Sequence, residues 1–277
     1  MIKITCVVND VAPLNAGLQS EHGISFWIET PQGIVLFDTA QTAPVLLHNL
    51  EQLGLRLQDV SAMALSHAHN DHTGGLGAVL SEKAGLPIYV LPDIFRPRYS
   101  FHDGEYKAVG MTLSQKDLEQ RAQLKISAAP QEIIPGLWTT GEITERPEAQ
   151  GSSRHHFVPA EAGWQADAYR DDLSLVLETS QGLVVICGCC HAGLLNTLFH
   201  IERHFSGPII AVLGGTHLLT TDAAGLEHII AILQERYAPL DLYLNHCTGE
   251  HAIQTLWEAF GERVRHCLAG TVVEFKE

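Results

Sequence analysis

Apolar and polar positions along this chain follow two periods in alternation. Ile2 to Val8 is a β-branched run closed by Asn9-Asp10, which predicts a strand. Ile24 to Thr30 alternates, Pro31-Gln32-Gly33 turns, and Ile34 to Phe37 returns, so a hairpin delivers Asp38-Thr39-Ala40 to a strand end. Ala43 to Leu53 then repeats its apolar residues at helical spacing, with Gly54 to close it. Val60 to Leu65 is a further apolar run, Leu76 to Ala84 is helical in pattern, and Pro87 to Leu91 is a short strand.

The second half repeats the design. Ile133 to Gly141 is strand material around a Pro135-Gly136 turn. Leu173 to Thr179, Ser180-Gln181-Gly182 and Leu183 to Cys187 then reproduce the hairpin of residues 24–37. Helix Leu194 to His204, strand Pro208 to Leu213, helix Ala223 to Tyr237, strand Leu240 to Leu244, helix His251 to Phe260 and strand-rich Arg263 to Phe275 follow. Alternating strands and helices predict an α/β fold. Five apolar strands end in Asp38, His67, His191, His217 and His246, each followed by a turn and a helix; set side by side, they would gather polar groups at one edge of a buried sheet.

Two stretches break the pattern, at about 93–130 and 142–170, and read as insertions in a single domain spanning 1–277. The first holds the basic-aromatic patch Phe95-Arg96-Pro97-Arg98-Tyr99 and a helix from Ser114 to Gln123 capped by Ser114 and Asp117. It is either a lid or substrate wall beside a site, or a surface loop. Glu142 to Arg170 is polar and unpatterned, and its Arg154-His155-His156 reads as a solvated loop.

With 277 residues, 45% of them hydrophobic, the chain has ample material for a core. A net charge of −15 argues against nucleic acid or an anionic membrane as partner. The first residues do not make a signal peptide and no run reaches membrane-span length, so a cytoplasmic protein acting on a small molecule is expected, of undetermined oligomeric state. Six cysteines form no framework and no Cys-x-x-Cys pair, and read as reduced thiols.

The sharpest signal is Ser66-His67-Ala68-His69-Asn70-Asp71-His72-Thr73-Gly74-Gly75, three imidazoles and a carboxylate within six residues of a strand end. On extended backbone, His67 and His69 point to the same side and can share one ion. The turn toward Gly74-Gly75 swings Asp71 and His72 to a second position a few ångströms away. Neutral imidazole and carboxylate suit zinc first, and iron or manganese where geometry permits. Asp38 is either a cap for the following helix or a carboxylate that holds a liganding histidine in its tautomer.

This motif resembles that of the metallo-β-lactamase-fold hydrolases, and the likeness runs over nearly the whole chain. It implies an αββα sandwich, with mixed sheets, helices on the outer faces and two related halves. Glu21-His22-Gly23-Ile24-Ser25, Gly188-Cys189-Cys190-His191-Ala192-Gly193 with Asn196, Gly214-Gly215-Thr216-His217-Leu218 and His246-Cys247-Thr248-Gly249 look like the subgroup of dihydropterin ribofuranosyl-aminobenzene phosphate synthases. One departure stands out: the superfamily places a bridging Asp after the glycine of the strand that here ends Cys187-Gly188, and this chain has Cys189 there, with no separate upstream His. His191 takes that role in our reading, with Cys189 or Cys190 as a lesser thiolate alternative.

The resemblance implies two divalent ions, zinc foremost, one held by His67, His69 and His191 and the other by Asp71, His72 and His246. The catalytic residues expected are Asp71, His217, which would polarise or protonate the substrate, and Asp38, which would order the ligands. Hydrolysis or water-mediated transfer through a metal-bound hydroxide follows, on an anionic or phosphorylated small molecule such as a pterin intermediate. Arg96, Arg98, Lys107 and Arg154 are candidates to meet its anionic group. A mononuclear iron oxidoreductase of the same fold and a non-catalytic ligand sensor are the alternatives.

Overall fold

The structure, a computed structural model, describes residues 1–277. Two seven-stranded mixed sheets lie face to face with helices outside them. The first orders its strands Val272–Phe275, Ile2–Val8, Ser25–Thr30, Gly33–Phe37, Ala62–Ala64, Pro87–Val90 and Gln123–Ile126. The second runs Val264–His266, Asp241–Leu244, Ile209–Gly214, Gly182–Cys187, Ser174–Thr179, Leu137–Thr139 and Glu132–Ile134. In each, an antiparallel hairpin is followed by strands added in parallel, so the repeated hairpin of the sequence is the seam of two related halves.

The pleat explains why strand Gly182–Cys187 is apolar without a break. Val184 and Ile186 face the core between the sheets, while Leu183, Val185 and Cys187 face the helix layer. Gly33–Phe37 divides likewise, Val35 and Phe37 inward and Leu36 toward helices Ala43–Gln52 and Leu76–Glu82. Leu194, Leu195, Leu198 and Ile201 form the buried stripe of helix Leu194–His204 on the other side. The expected αββα layering is therefore present.

The two irregular stretches are more ordered than their sequence suggests. Tyr99–His102, Glu105–Ala108, His156–Ala160 and Gly163–Ala166 pair across the insertions into a four-stranded antiparallel sheet, and Gln123–Ile126 is a strand rather than the end of a helix. Sequence periodicity misses these strands because their faces are mostly solvated. The helix between them, Gln115–Arg121, does carry the Ser114/Asp117 capping box.

Arg98 is a correction. It was expected to meet substrate, yet it is 2% exposed and ion-paired with Asp93 at 2.9 Å, Asp167 at 2.7 Å and Asp171 at 2.7 Å. Asp171 in turn accepts the Ala68 N–H at 2.8 Å, so this guanidinium joins both insertions to the backbone between His67 and His69. Replacing Arg98 by Met would leave three carboxylates facing one another without their cation. We expect a loss of about 3–5 kcal/mol in metal-free urea unfolding at neutral pH. Burial already raises the pKa of Asp167 and Asp171 despite Arg98, and the variant should raise them further. Protonation of these groups then favours the folded chain, so its deficit should narrow as pH falls; a variant as stable as the parent at pH 7 would remove this role.

Candidate metal centre

The strand ends do not meet at one edge of a single sheet, as the pattern suggested. Asp38 and the 66–72 loop leave the first sheet, while Cys189–His191, His217 and His246 leave strands of the second, and the two sets face each other across the sandwich. Close approach requires Gly188: a Cβ there would lie 2.2 Å from Ser66 Oγ and 2.9 Å from Asp38 Oδ2. Asp38, Tyr169, Cys190, His217 and His246 all adopt φ between 46° and 60°, a region non-glycine residues avoid. Such positions cost on the order of 1–3 kcal/mol each and persist where surrounding structure over-determines them.

Asp38 settles its two readings by geometry. It caps no helix, because Thr42 occupies the cap position of Ala43–Gln52. Its Oδ1 accepts Ser66 N–H at 2.7 Å, and its Oδ2 accepts the Ser66 hydroxyl at 2.6 Å and His72 Nδ1–H at 2.7 Å. Being fully buried behind the histidines, it holds them in position, the ordering role expected of it, and does not line the cavity.

Three further imidazoles are pinned in the same way. Nδ1 of His67 lies 2.9 Å from Ser66 Oγ, that of His191 2.5 Å from the Gly151 carbonyl, and that of His246 2.7 Å from Asp10 Oδ1. With Nδ1 donating to oxygen, Nε2 is left to face the cluster, the arrangement a liganding histidine needs. His67 Nε2 and His69 Nδ1 approach to 3.0 Å. Nε2 of His191 and of His246 is buried with no hydrogen-bond partner.

Electrostatics agree with a cation. Burial, and in His67 and His191 the repulsion of neighbouring imidazoles, hold the pKa values of His67, His69 and His191 well below the usual histidine value, which favours the neutral rings that could bind a cation. His246 differs: burial opposes its charge, but Cys247, Asp10 and Asp71 hold its pKa well above the ordinary value. Asp71 Oδ2 lies 3.4 Å from His246 Nε2 and 3.5 Å from His72 Nε2. The residues present therefore fit metal binding: donor atoms of His67 and His191, with His69 Nδ1 beside His67, form one cluster, and those of Asp71, His72 and His246 form another.

Cys189 joins the two. Its Sγ is 3.1 Å from His72 Nε2, and its donor atom lies within 4.8 Å of those of His67 and His191 on one side and of His72 and His246 on the other. Burial first, then Cys247, pushes its thiol pKa well up, so it would ionise only against a cation. Cys190 turns away, its Sγ 3.2 Å from Thr197 Oγ1 in the helix-side core. No cysteine is in a disulfide.

Above the cluster is a cavity of about 800 Å³ whose wall includes Arg154, His156, His217 and His22. Arg154 lines it; Arg96, whose guanidinium binds the Pro159 carbonyl, and Lys107, exposed on the outer sheet, do not, so of four cationic candidates only Arg154 is placed to meet a ligand there. His156 was read as solvated and is instead half-buried, its ring edge-on to His69 with centroids 4.7 Å apart. Tyr169, unmarked in the sequence, stacks on His191 at 3.9 Å. Its hydroxyl accepts Ser153 N–H at 3.1 Å and lies 2.8 Å from His156 Nδ1, in hydrogen-bond contact with it.

Residues 22–172 match the family model of the metallo-beta-lactamase superfamily. The chain is 30% identical, over 99% of its length and 97% of the relative's, to the 7,8-dihydropterin-6-methyl-4-(beta-D-ribofuranosyl)-aminobenzene-5'-phosphate synthase of Methanocaldococcus jannaschii. Among solved structures, Tm1679, a metal-dependent hydrolase of the beta-lactamase superfamily, covers 100% of both chains at 26% identity and a TM-score of 0.85. Zn(2+)-bound PqqB from Methylobacterium extorquens shares the fold at 10% identity and a TM-score of 0.59, with 99% of this chain and 100% of that one covered.

The contact between Cys189 and both donor clusters has a spectroscopic consequence. Cobalt(II)-loaded protein should show sulfur-to-metal charge-transfer absorption that disappears in Cys189→Ala and survives in Cys190→Ala. The reverse pattern would place the thiolate on the wrong cysteine.

Proposed function

This chain belongs to the metallo-β-lactamase superfamily and is a metal-dependent enzyme of that fold; from that premise we propose that it catalyses hydrolysis, or a related water-mediated transfer, on a phosphorylated or otherwise anionic small molecule. The observation that carries this reading is the pair of donor clusters meeting on Cys189 at the base of a cavity with a cationic and imidazole-lined wall. Two ions, zinc foremost, suit the two clusters. When bound, such ions act as Lewis acids that lower the pKa of a coordinated water to about 7 and offset charge developing on the substrate.

The chain's own residues divide the remaining work. Asp38 holds His72 directly and His67 through Ser66, keeping both rings in the tautomer that faces the centre. His156 is lowered to about 4, by burial first and then by His217, and so is neutral. Its Nδ1 lies 2.8 Å from the Tyr169 hydroxyl; with that hydroxyl as donor, the ring proton would sit on Nε2, free to donate to an anionic substrate. His217, its Nδ1 buried and without a partner, is placed on the cavity wall to protonate a leaving oxygen. Arg154 on the same wall would bind the anionic group. The relative named for a ribofuranosyl-aminobenzene 5'-phosphate supports a phosphorylated, pterin-like substrate.

The test is a panel of phosphodiesters, phosphomonoesters, lactones and thioesters, assayed with protein loaded in turn with zinc, manganese and iron. We expect turnover of a phosphate ester. His67→Ala should abolish it while leaving the fold intact, His217→Ala should lower kcat by about 10²-fold or more, and Arg154→Ala should chiefly raise KM. Full metal loading with no turnover of any class would overturn the hydrolytic reading, as would undiminished activity in His67→Ala.

A further inference from the structure

The Glu21-His22-Gly23 segment has no part in the two donor clusters described above, yet it is built against one of them. Glu21 fastens it to the start of helix Ala43–Gln52: its carboxylate accepts Gln41 N–H at 3.1 Å, Thr42 N–H at 2.8 Å and the Thr42 hydroxyl at 2.7 Å. Gly23 lets the loop lie on the backbone of Asp71. Its φ is +133°, and a Cβ there would stand 2.3 Å from the Asp71 carbonyl oxygen. Gly23 N–H donates to Asp10 Oδ1 at 3.2 Å, and Ile24 N–H to the Asp71 carbonyl at 3.3 Å. The residue fixed between these anchors is His22.

Its ring is aimed. Nδ1 is 3.1 Å from Asp10 Oδ2 and Nε2 is 3.4 Å from Asp71 Oδ2, with the ring centroid 4.8 Å from that of His246. Three imidazole Nε2 atoms thus converge on one carboxylate oxygen, from His22 at 3.4 Å, His72 at 3.5 Å and His246 at 3.4 Å. Donors bound to a common ion at about 2.0–2.1 Å stand about 3.3–3.4 Å apart in a tetrahedral shell. Asp10 meanwhile holds Nδ1 of both His22 and His246, the carboxylate–imidazole pairing that orients metal ligands.

We propose that His22 is a protein ligand of the ion held by Asp71, His72 and His246, on the side where that site opens to the cavity. This rests on the reading of the cluster as a metal centre. Asp71 and His246 have side chains 12% and 1% exposed, whereas His22 is 60% exposed, so it is the ligand at the mouth of the site. An entering substrate meets this ligand before the others.

The test is metal binding by the full-length chain, stripped with chelator and titrated with zinc or cobalt(II) under equilibrium dialysis with elemental analysis. The parent, His22→Ala and, as a control on the other cluster, His67→Ala are compared. His22→Ala should keep the ion of the His67 cluster, bind the other more than ~10-fold more weakly, and shift the visible cobalt absorption of that site. Its metal-free melting should match the parent's, since the side chain is largely in solvent. Unchanged affinities with an unchanged spectrum would overturn the assignment while leaving the metal-centre reading in place. Weakened binding with an unchanged spectrum would also overturn it, because His22 would then act through Asp71 and not on the ion. A parent chain that binds no ion would remove the metal-centre reading and this inference with it.

Discussion

The constraint on which the rest depends is electrostatic. Several imidazoles are buried with ring nitrogens facing one another, and a cation bound among them would take up their lone pairs. The fold supplies everything short of the cation. Asp38 holds one ring directly and a second through Ser66, Gly151 holds a third by its carbonyl, and Asp10 a fourth. Every one of these partners is on a different segment from the ring it fixes, except Ser66. The centre is therefore a product of the sandwich and not of any single loop.

Bringing those segments together costs backbone freedom, and the cost is concentrated at the centre. Positive φ at Asp38, His217 and His246 turns the chain sharply just beyond a strand and brings the side chain to the centre, while at Cys190 it turns the thiol away into the helix-side core. At Gly188 the opposite device operates, the absence of a side chain, which lets one strand end touch the Asp38–Ser66 pair of the other sheet. Rigid strands on both sides hold these turns in place.

The insertions add the wall. Arg98, buried among Asp93, Asp167 and Asp171, helps to tie their four-stranded sheet to the sandwich. Through Asp171 and Ala68 that ionic knot is continuous with the His67–His69 backbone, and through the adjoining Tyr169 with the ring of His191 and with His156. Cavity wall and donor cluster are thus parts of one hydrogen-bonded and ionic assembly, which couples how substrate is held to how the imidazoles are placed.

Local order was legible along the chain wherever packing imposes a period. The twin hairpins, the helices at 43–52, 194–204 and 250–260, and the position of each polar residue at its strand end follow from alternation, spacing and turn residues. The His-x-His-x-Asp-His spacing likewise marked its chemistry before any coordinates. Tertiary structure alone decided which strand ends meet, because two sheets and not one contribute them. It made Cys189 the residue shared by both clusters and not Cys190, since one φ near +60° separates inward from outward. It also turned Arg98 from an expected substrate contact into a buried strut and brought His22, His156 and Tyr169 to the site. Periodicity reports which face of an element is buried; it carries no record of which distant side chain shares that burial, and metal and substrate sites are made of such pairings.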